Sequence, residues 1–210
     1  MGGHAVTVGI IEENAVLKSW YRQNGFVSAG TAVFPHLPFT VGFLRRELPD
    51  EDGKITVRPA VLADHEKIRP LQKQIADIHF GGRPDIFKEE PRFYSDGEFS
   101  EKLNDPGRFV FIAEDGQKRV IGYAFCRLIR YRNHSTSRDF DKLYLDDICV
   151  EQSCRRRGVG RLLFEECREL ALSLGCHNMD LGVWAFNREA AAFYESCGMK
   201  ESLRKMELVL

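Results

Sequence analysis

The chain has 210 residues and a mass of 24.1 kDa, with 43% hydrophobic and 11% aromatic side chains, enough for a substantial core and too much for intrinsic disorder. Thirty Lys and Arg against 31 Asp and Glu leave a formal net charge of −1, without the basic excess of a nucleic-acid or membrane-surface binder. No apolar run approaches the roughly 18 residues of a membrane span, and Met1-Gly2-Gly3-His4 lacks the charged start and apolar run of a secretory signal. With Val6 at the sixth position the start also fails the myristoylation pattern.

Six cysteines (Cys126, Cys149, Cys154, Cys167, Cys176 and Cys197) form no Cys-x-x-Cys pair and no zinc-finger spacing with histidine. Most have apolar neighbours, so buried, reduced thiols in a cytoplasmic setting are expected, with no metal site.

The short acidic stretch Leu48–Gly53, punctuated by Pro and Gly, divides the chain into segments 1–50 and 54–210. Beyond it, Ile55-Thr56-Val57-Arg58 alternates as a strand. Asp64 stands as an N-cap before a helical run through Ile68, Leu71, Ile75 and Ile78. His79–Gly107 reads as loop with one short helix near Phe99–Leu103. Strands are expected at Phe109–Ala113, Val120–Leu128 and Leu143–Val150, the last two separated by the polar loop Arg130–Arg138. A helix carrying Leu162, Leu163, Cys167, Leu170, Ala171 and Leu174 follows, closed by Gly175. Met179–Trp184 reads as a strand, Asn187–Ser196 as a helix and Ser202–Leu210 as a closing strand. This order indicates an α/β (α+β) domain, a mixed central sheet with flanking helices.

The segment between the third of these strands and the long helix carries the chemistry. Arg155-Arg156-Arg157-Gly158-Val159-Gly160-Arg161 sets two glycines where backbone amides can approach a ligand. The helix N-terminus adds unsatisfied N–H groups and the positive end of its dipole, a combination that favours a pyrophosphate. It is neither a Walker loop nor the three-glycine dinucleotide fingerprint.

Arg-x-x-Gly-x-Gly after a strand resembles the acyl-CoA-binding motif of the GNAT superfamily of N-acetyltransferases. Two further blocks extend the resemblance over Ile55–Leu210. Leu145-Asp146-Asp147-Ile148-Cys149-Val150 is similar to the family's central strand. Asn187-Arg188-Glu189-Ala190-Ala191-Ala192-Phe193-Tyr194-Glu195-Ser196-Cys197-Gly198-Met199 is similar to its late Asn-x-x-Ala-x-x-Phe-Tyr signature. The resemblance implies a GNAT fold with a splayed parallel strand pair that binds acyl-CoA. Ile148, Cys149 and Val150 would pair with the pantetheine amides, and amides from Arg156 through Arg157, Gly158, Val159 and Gly160 to Arg161 would hold the pyrophosphate. Arg155 stands at the motif's Arg/Gln position, Asn187 would contact the pantetheine arm, and Tyr194 would sit near the thioester sulfur.

The reaction itself sets two demands. An ammonium group with pKa near 10 must lose a proton before it attacks a thioester. The departing thiolate, with a thiol pKa of about 8–9, needs little help. Tyr194 is the candidate acid and the Asp146-Asp147 pair the candidate base region, with Asp146 first. On a regularly alternating strand Asp146 shares a face with Tyr144 and Ile148, and Asp147 points the opposite way. Bland readings stand beside these: an ion pair for either aspartate, a half-buried aromatic for Tyr194, a core position for Trp184. Cys149 as an acyl-carrying nucleophile lacks a neighbouring His in sequence.

Residues His4–Phe26 repeat His177–Met199 at a constant offset. His4, Gly9, Asn14, Tyr21 and Gly25 meet His177, Gly182, Asn187, Tyr194 and Gly198, and Trp20 meets Phe193. Residues 1–50 therefore read as the tail half of a GNAT-like unit (strand, helix and closing strands at Thr31–Phe34 and Thr40–Leu48) before a complete unit at 54–210. So small a fragment has to bury its apolar face, on the second unit or by exchange with a neighbouring chain, which makes this segment or the closing strands a homodimer contact.

The expected activity is transfer of an acetyl group from acetyl-CoA to a small-molecule amine, directly within a ternary complex. His79–Lys88 and Arg130–Arg138 would shape the acceptor pocket, where Asp85, Glu89, Glu90 and Asp96 would suit a cation. A peptide or protein N-terminus is the alternative acceptor, and a non-catalytic acyl-CoA-binding module the alternative of another class. Neither nucleic acid nor a membrane is an expected partner.

Overall fold

The computed structural model describes residues 5–47 and 54–209 and divides into two compact units, one up to Lys54 and the other from Ile55. The acidic stretch 48–53, His4 and Leu210 lie outside the described residues.

In the first unit, β1 (Ala5–Ile11), α1 (Ala15–Gln23), β2 (Val27–Val33) and β3 (Thr40–Glu47) form a three-stranded sheet in the order β1-β3-β2, with β3 antiparallel to both neighbours. β2 starts before the expected Thr31 because a register shift between Ser28 and Thr31, with Gly30 at φ 106°, lets the strand run through the irregularity. Ile10 and Leu44 are the large apolar residues it buries, while Val16, Trp20, Val27 and Val33 are exposed.

The second unit is built on β4 (Thr56–Pro59), β5 (Arg108–Glu114), β6 (Val120–Tyr131), β7 (Phe140–Val150) and β8 (Asn178–Leu181). These lie in sequence order, antiparallel except for the parallel pair β7–β8. That one parallel pair follows from α4 (Val159–Ser173), whose crossover carries the chain back to the start of the sheet edge. α4 and α5 (Arg188–Ser196) cover one face, where Leu163, Phe164 and Cys167 meet Ala124, Cys126, Leu143 and Leu145. α2 (His65–Gly82) and α3 (Asp96–Asn104) cover the other, burying Ile68, Leu71 and Phe99 against Val110, Ile112 and Tyr123. His65, stacked on Phe99 with centroids 4.6 Å apart, bonds Asp96 at 2.6 Å and ties the two helices together.

Several expectations are corrected. Asp64 precedes α2, but its carboxylate makes no cap; it takes the Arg58 guanidinium at 2.7 Å and the Val61 amide at 2.9 Å instead. α2 runs on to Gly82 with Pro70 inside it, and α3 is longer than the apolar residues alone suggested because Ser95 and Glu98 form a capping box. β8 stops at Leu181, so Gly182–Trp184 is not strand. The expected closing strand at Ser202–Leu210 is absent: residues 199–209 carry no regular structure, and Leu203, Met206 and Leu208 are exposed. Alternating side chains provide no partner for their own backbone, and in the first unit the corresponding strand pairs with a further strand, β3.

Candidate active site

β7 and β8 pair only from Lys142–Asn178 to Leu145–Leu181. From Asp146 onward the two strands part, opening a slot along the β7 edge. Glu151 donates its amide to Ile121 on the other side, at 2.9 Å. By antiparallel alternation the N–H and C=O of Ile148 and the N–H of Val150 then face the slot, the Val150 carbonyl being taken by Gln74 Nε2 at 2.9 Å, whereas the peptide groups of Cys149 face β6. Of the three expected pantetheine partners, two present their backbone and one does not.

The slot leads to the start of α4. Arg156, at φ 61°, and Gly158, at φ 86°, both lie in the left-handed region, which curls the loop tightly into the helix. Gly158 is the N-cap and supplies no side-chain cap. The first intrahelical bond runs from Leu162 N to Gly158 O, so the amides of Val159, Gly160 and Arg161 have no partner within the helix. Arg155, Arg156 and Arg157 are exposed around this point. Arg161 is turned elsewhere, donating to the Ser196 carbonyl at 2.9 Å, and so joins α4 to the end of α5. These residues fit a pyrophosphate: free amides, a dipole end and flanking cations converge.

The acidic pair does not alternate as the sequence implied. A register shift between Phe125–Asp147 and Cys126–Leu145 places a β-bulge at Asp146. The extra residue turns both carboxylates to the α2–α3 face and sends Ile148 to the α4 face, where it packs with Leu145. Exposed Asp146 pairs with Arg127 at 3.0 Å, and Arg127 lies over the Tyr144 ring. Half-buried Asp147 accepts a 2.5 Å hydrogen bond from the hydroxyl of fully buried Tyr123. Desolvation raises both carboxyls, and Asp147, with no cation beside it, reaches about 6.

Tyr194, half-buried on α5, packs against the α4-side core. Burial first, and the Asp147 charge second, push its hydroxyl well above the ordinary range, so it is a protonated donor at neutral pH. Asn187 caps α5 by accepting from the Ala190 amide at 3.1 Å, which commits its side-chain oxygen and leaves its NH2 group. Burial pushes the Cys149 thiol up to about 12, and it donates to the Leu71 carbonyl at 3.3 Å, an inert arrangement for a nucleophile.

An aromatic group forms at the far end of α2. His79 stacks on Phe87 at 4.8 Å, Phe87 meets Trp184 edge-on at 5.3 Å, and Phe186 lies 6.1 Å from Trp184. A Cβ at Gly82 would fall 2.4 Å from the Phe186 ring, so a side chain there would displace that ring. Two of the expected acceptor carboxylates are already engaged, Asp85 by Arg83 at 2.6 Å and Asp96 by His65. Tyr123 and Gln74 are the site residues that sequence reasoning missed. Tyr123 had a faint signal, a hydroxyl inside an apolar strand that must find a partner. Gln74 had none.

The second unit thus combines a strand pair that parts beyond Leu145 with a helix end whose first amides have no partner within the helix. Residues 73–199 match the Acetyltransferase (GNAT) family, and the chain belongs to that family. It is 29% identical over 157 residues to the thialysine N-epsilon-acetyltransferase of Bos taurus, covering 74% of this chain and 83% of that protein. The Sus scrofa thialysine N-epsilon-acetyltransferase is 30% identical, with coverage of 75% and 84%. Among solved structures, a mutant of the BH1408 protein from Bacillus halodurans superposes with a TM-score of 0.71 at 28% identity, covering 74% of this chain and 99% of that one. An aminoglycoside N-acetyltransferase solved with CoA shares the fold, with a TM-score of 0.57 at 23% identity over 75% of this chain and 95% of that one. The protein is thus an acetyltransferase that uses acetyl-CoA. No helix among the described residues is long and apolar enough to cross a membrane.

Proposed function

We propose that residues 54–210 transfer an acetyl group from acetyl-CoA to the amine of a small molecule by direct attack in a ternary complex. The observation that carries this reading is the open β7 edge beyond Leu145, continuous with the free amides at the start of α4. Ile148 and Val150 hold the pantetheine arm, assisted by the Asn187 side-chain amide; Val159, Gly160 and Arg161 amides with the Arg155–Arg157 cations hold the pyrophosphate. The thioester supplies an activated acetyl group and a good leaving group, so the chain has only protons to manage.

Asp147 is the proton acceptor in this reading, ahead of Asp146. Arg127 neutralises Asp146, whereas Asp147 is charged at neutral pH, poised near 6, and oriented by Tyr123. It draws the ammonium in; once one proton has passed to solvent the neutral amine attacks, and Asp147 takes the second proton as the C–N bond forms and the nitrogen becomes acidic. The Tyr194 hydroxyl donates a hydrogen bond to the sulfur as the C–S bond breaks, and CoA leaves as the thiolate. No step calls for a metal.

A small-molecule acceptor is supported by the names of the thialysine and aminoglycoside acetyltransferases to which the chain is similar. The aromatic group of Phe87, Trp184 and Phe186 supports an acceptor wall at the end of α2. Residues 1–50 are proposed to be the tail half of a second GNAT-like unit, and their exposed apolar side chains support a homodimer contact. The near-zero net charge supports a reading without nucleic acid or membrane, and six free cysteines support a reducing, cytoplasmic setting.

The test is free-CoA release from acetyl-CoA against pooled polyamines, amino acids, aminoglycosides and peptides. Release that depends on one small-molecule pool is expected. Release only with peptides would overturn the acceptor class, and binding without release from any pool would overturn catalysis.

A further inference from the structure

The end of the acyl-CoA strand is held by a single side chain from the opposite layer. Gln74, half-buried on α2, donates from Nε2 to the Val150 carbonyl at 2.9 Å and accepts at Oε1 from the Gln152 amide at 3.0 Å. The same Nε2 lies 3.1 Å from the Cys149 sulfur, and that thiol donates in turn to the Leu71 carbonyl one helical turn earlier. The side chain thus spans Glu151 and ties the last slot-facing residue of β7 to the first residue of the pyrophosphate loop.

We propose that Gln74 is a positioning residue for acyl-CoA: its amide fixes the angle between the pantetheine-binding strand and the pyrophosphate-binding loop. This rests on the acetyltransferase reading of the site. Val150 carries the peptide group nearest the loop, and rotation about Glu151 would swing the Arg155–Arg161 amides away from the strand axis. The side-chain amide offers a donor and an acceptor on separate atoms without charge, which is what a carbonyl at 150 and an N–H at 152 require. A hydrophobic residue of the same length would pack equally well and hold neither. The ligand makes no contact with Gln74 in this account; the effect passes through Val150 and Gln152.

The test uses the full chain and CoA itself, so no acceptor is needed. Dissociation constants for CoA are measured by titration calorimetry at pH 7.5 and 5.0 for wild type, Gln74→Met and Gln74→Glu, with melting temperatures alongside. Gln74→Met keeps the length and loses both hydrogen bonds, and CoA binding is expected to weaken about tenfold at both pH values. Gln74→Glu keeps the acceptor but sets a carboxylate against the Val150 carbonyl. It is expected to weaken binding similarly at pH 7.5 and to recover part of the loss at pH 5.0, where a carboxyl half-buried against the Val150 carbonyl, and raised by that position, takes up a proton and restores the donor. That recovery, relative to wild type at the same pH, would not accompany a merely structural role. Both variants binding as tightly as wild type would overturn the proposal, as would a Gln74→Glu variant whose loss ignores pH. If wild type fails to bind CoA, the acetyltransferase reading falls first.

Discussion

Two stretches of this molecule share a local design and diverge in everything around it. α1 and α5 each begin at an asparagine whose side chain accepts an amide three residues on, Asn14 from Leu17 and Asn187 from Ala190. Each ends in the same paired turn. Phe26 N reaches Tyr21 O and Gly25 N reaches Arg22 O; Met199 N reaches Tyr194 O and Gly198 N reaches Glu195 O. Gly25 and Gly198 take the left-handed conformation, φ 81° and 92°, that closes a helix in this way. Tyr21 and Tyr194 therefore occupy the same position, three residues before the cap. Tyr21, however, packs on Trp20 and Phe26, while Tyr194 faces a core that includes Phe164 and Cys167 and feels the Asp147 charge. The repeated motif specifies a capped helix, and the neighbours it meets decide whether its tyrosine has chemistry to do.

If that distinction holds, the largest loss belongs to a residue the first unit has no counterpart for. Asp147→Asn should lower kcat by about 10²–10³-fold and abolish the rise of kcat/KM with pH through about 6, where the carboxyl ionises; steady-state CoA release across pH 5–9 checks both. Tyr194→Phe should cost about tenfold in kcat, a modest figure because the leaving thiolate has a low pKa. A Gly158→Ala substitution meets no atom within 4 Å but forces φ +86° on a side chain. It should raise the KM for acetyl-CoA about fivefold, leaving kcat in place.

The same aspartate sharpens the contrast through stability. A carboxyl raised to about 6 in the folded state binds more protons there than in the unfolded chain. Stability therefore falls as pH rises between about 4 and 6. Asp147→Asn removes this penalty and should raise neutral-pH stability by about 1–2 kcal/mol, measured as a rise in Tm that vanishes near pH 4. A variant less active and more stable would mark Asp147 as a functional residue that the fold tolerates at a cost.

The strands of the sheet and the arginine–glycine turn were legible because each rests on local pattern: alternation in β5–β7, apolar spacing in α4, glycine where φ is positive. The faces of the acidic pair are misread when regular alternation is carried through Asp146-Asp147, because the apolar positions shift from Leu143 and Leu145 to Ile148 and Val150 across the bulge. The Tyr123–Asp147 and Gln74–Val150 bonds join residues 24 and 76 positions apart, and nothing local to either partner announces them. The end of the chain failed for the opposite reason. Ser202–Leu210 has a strand's pattern, but a pattern becomes a strand only where a neighbour completes its hydrogen bonds.

The most direct measurement sets the two tyrosines against each other. Acetyl-CoA-dependent CoA release would be compared for wild type, Tyr194→Phe and Tyr21→Phe with the best amine acceptor. The account predicts a drop of about tenfold for Tyr194→Phe and a rate within twofold of wild type for Tyr21→Phe. Equal losses in both, or an undiminished Tyr194→Phe, would contradict it.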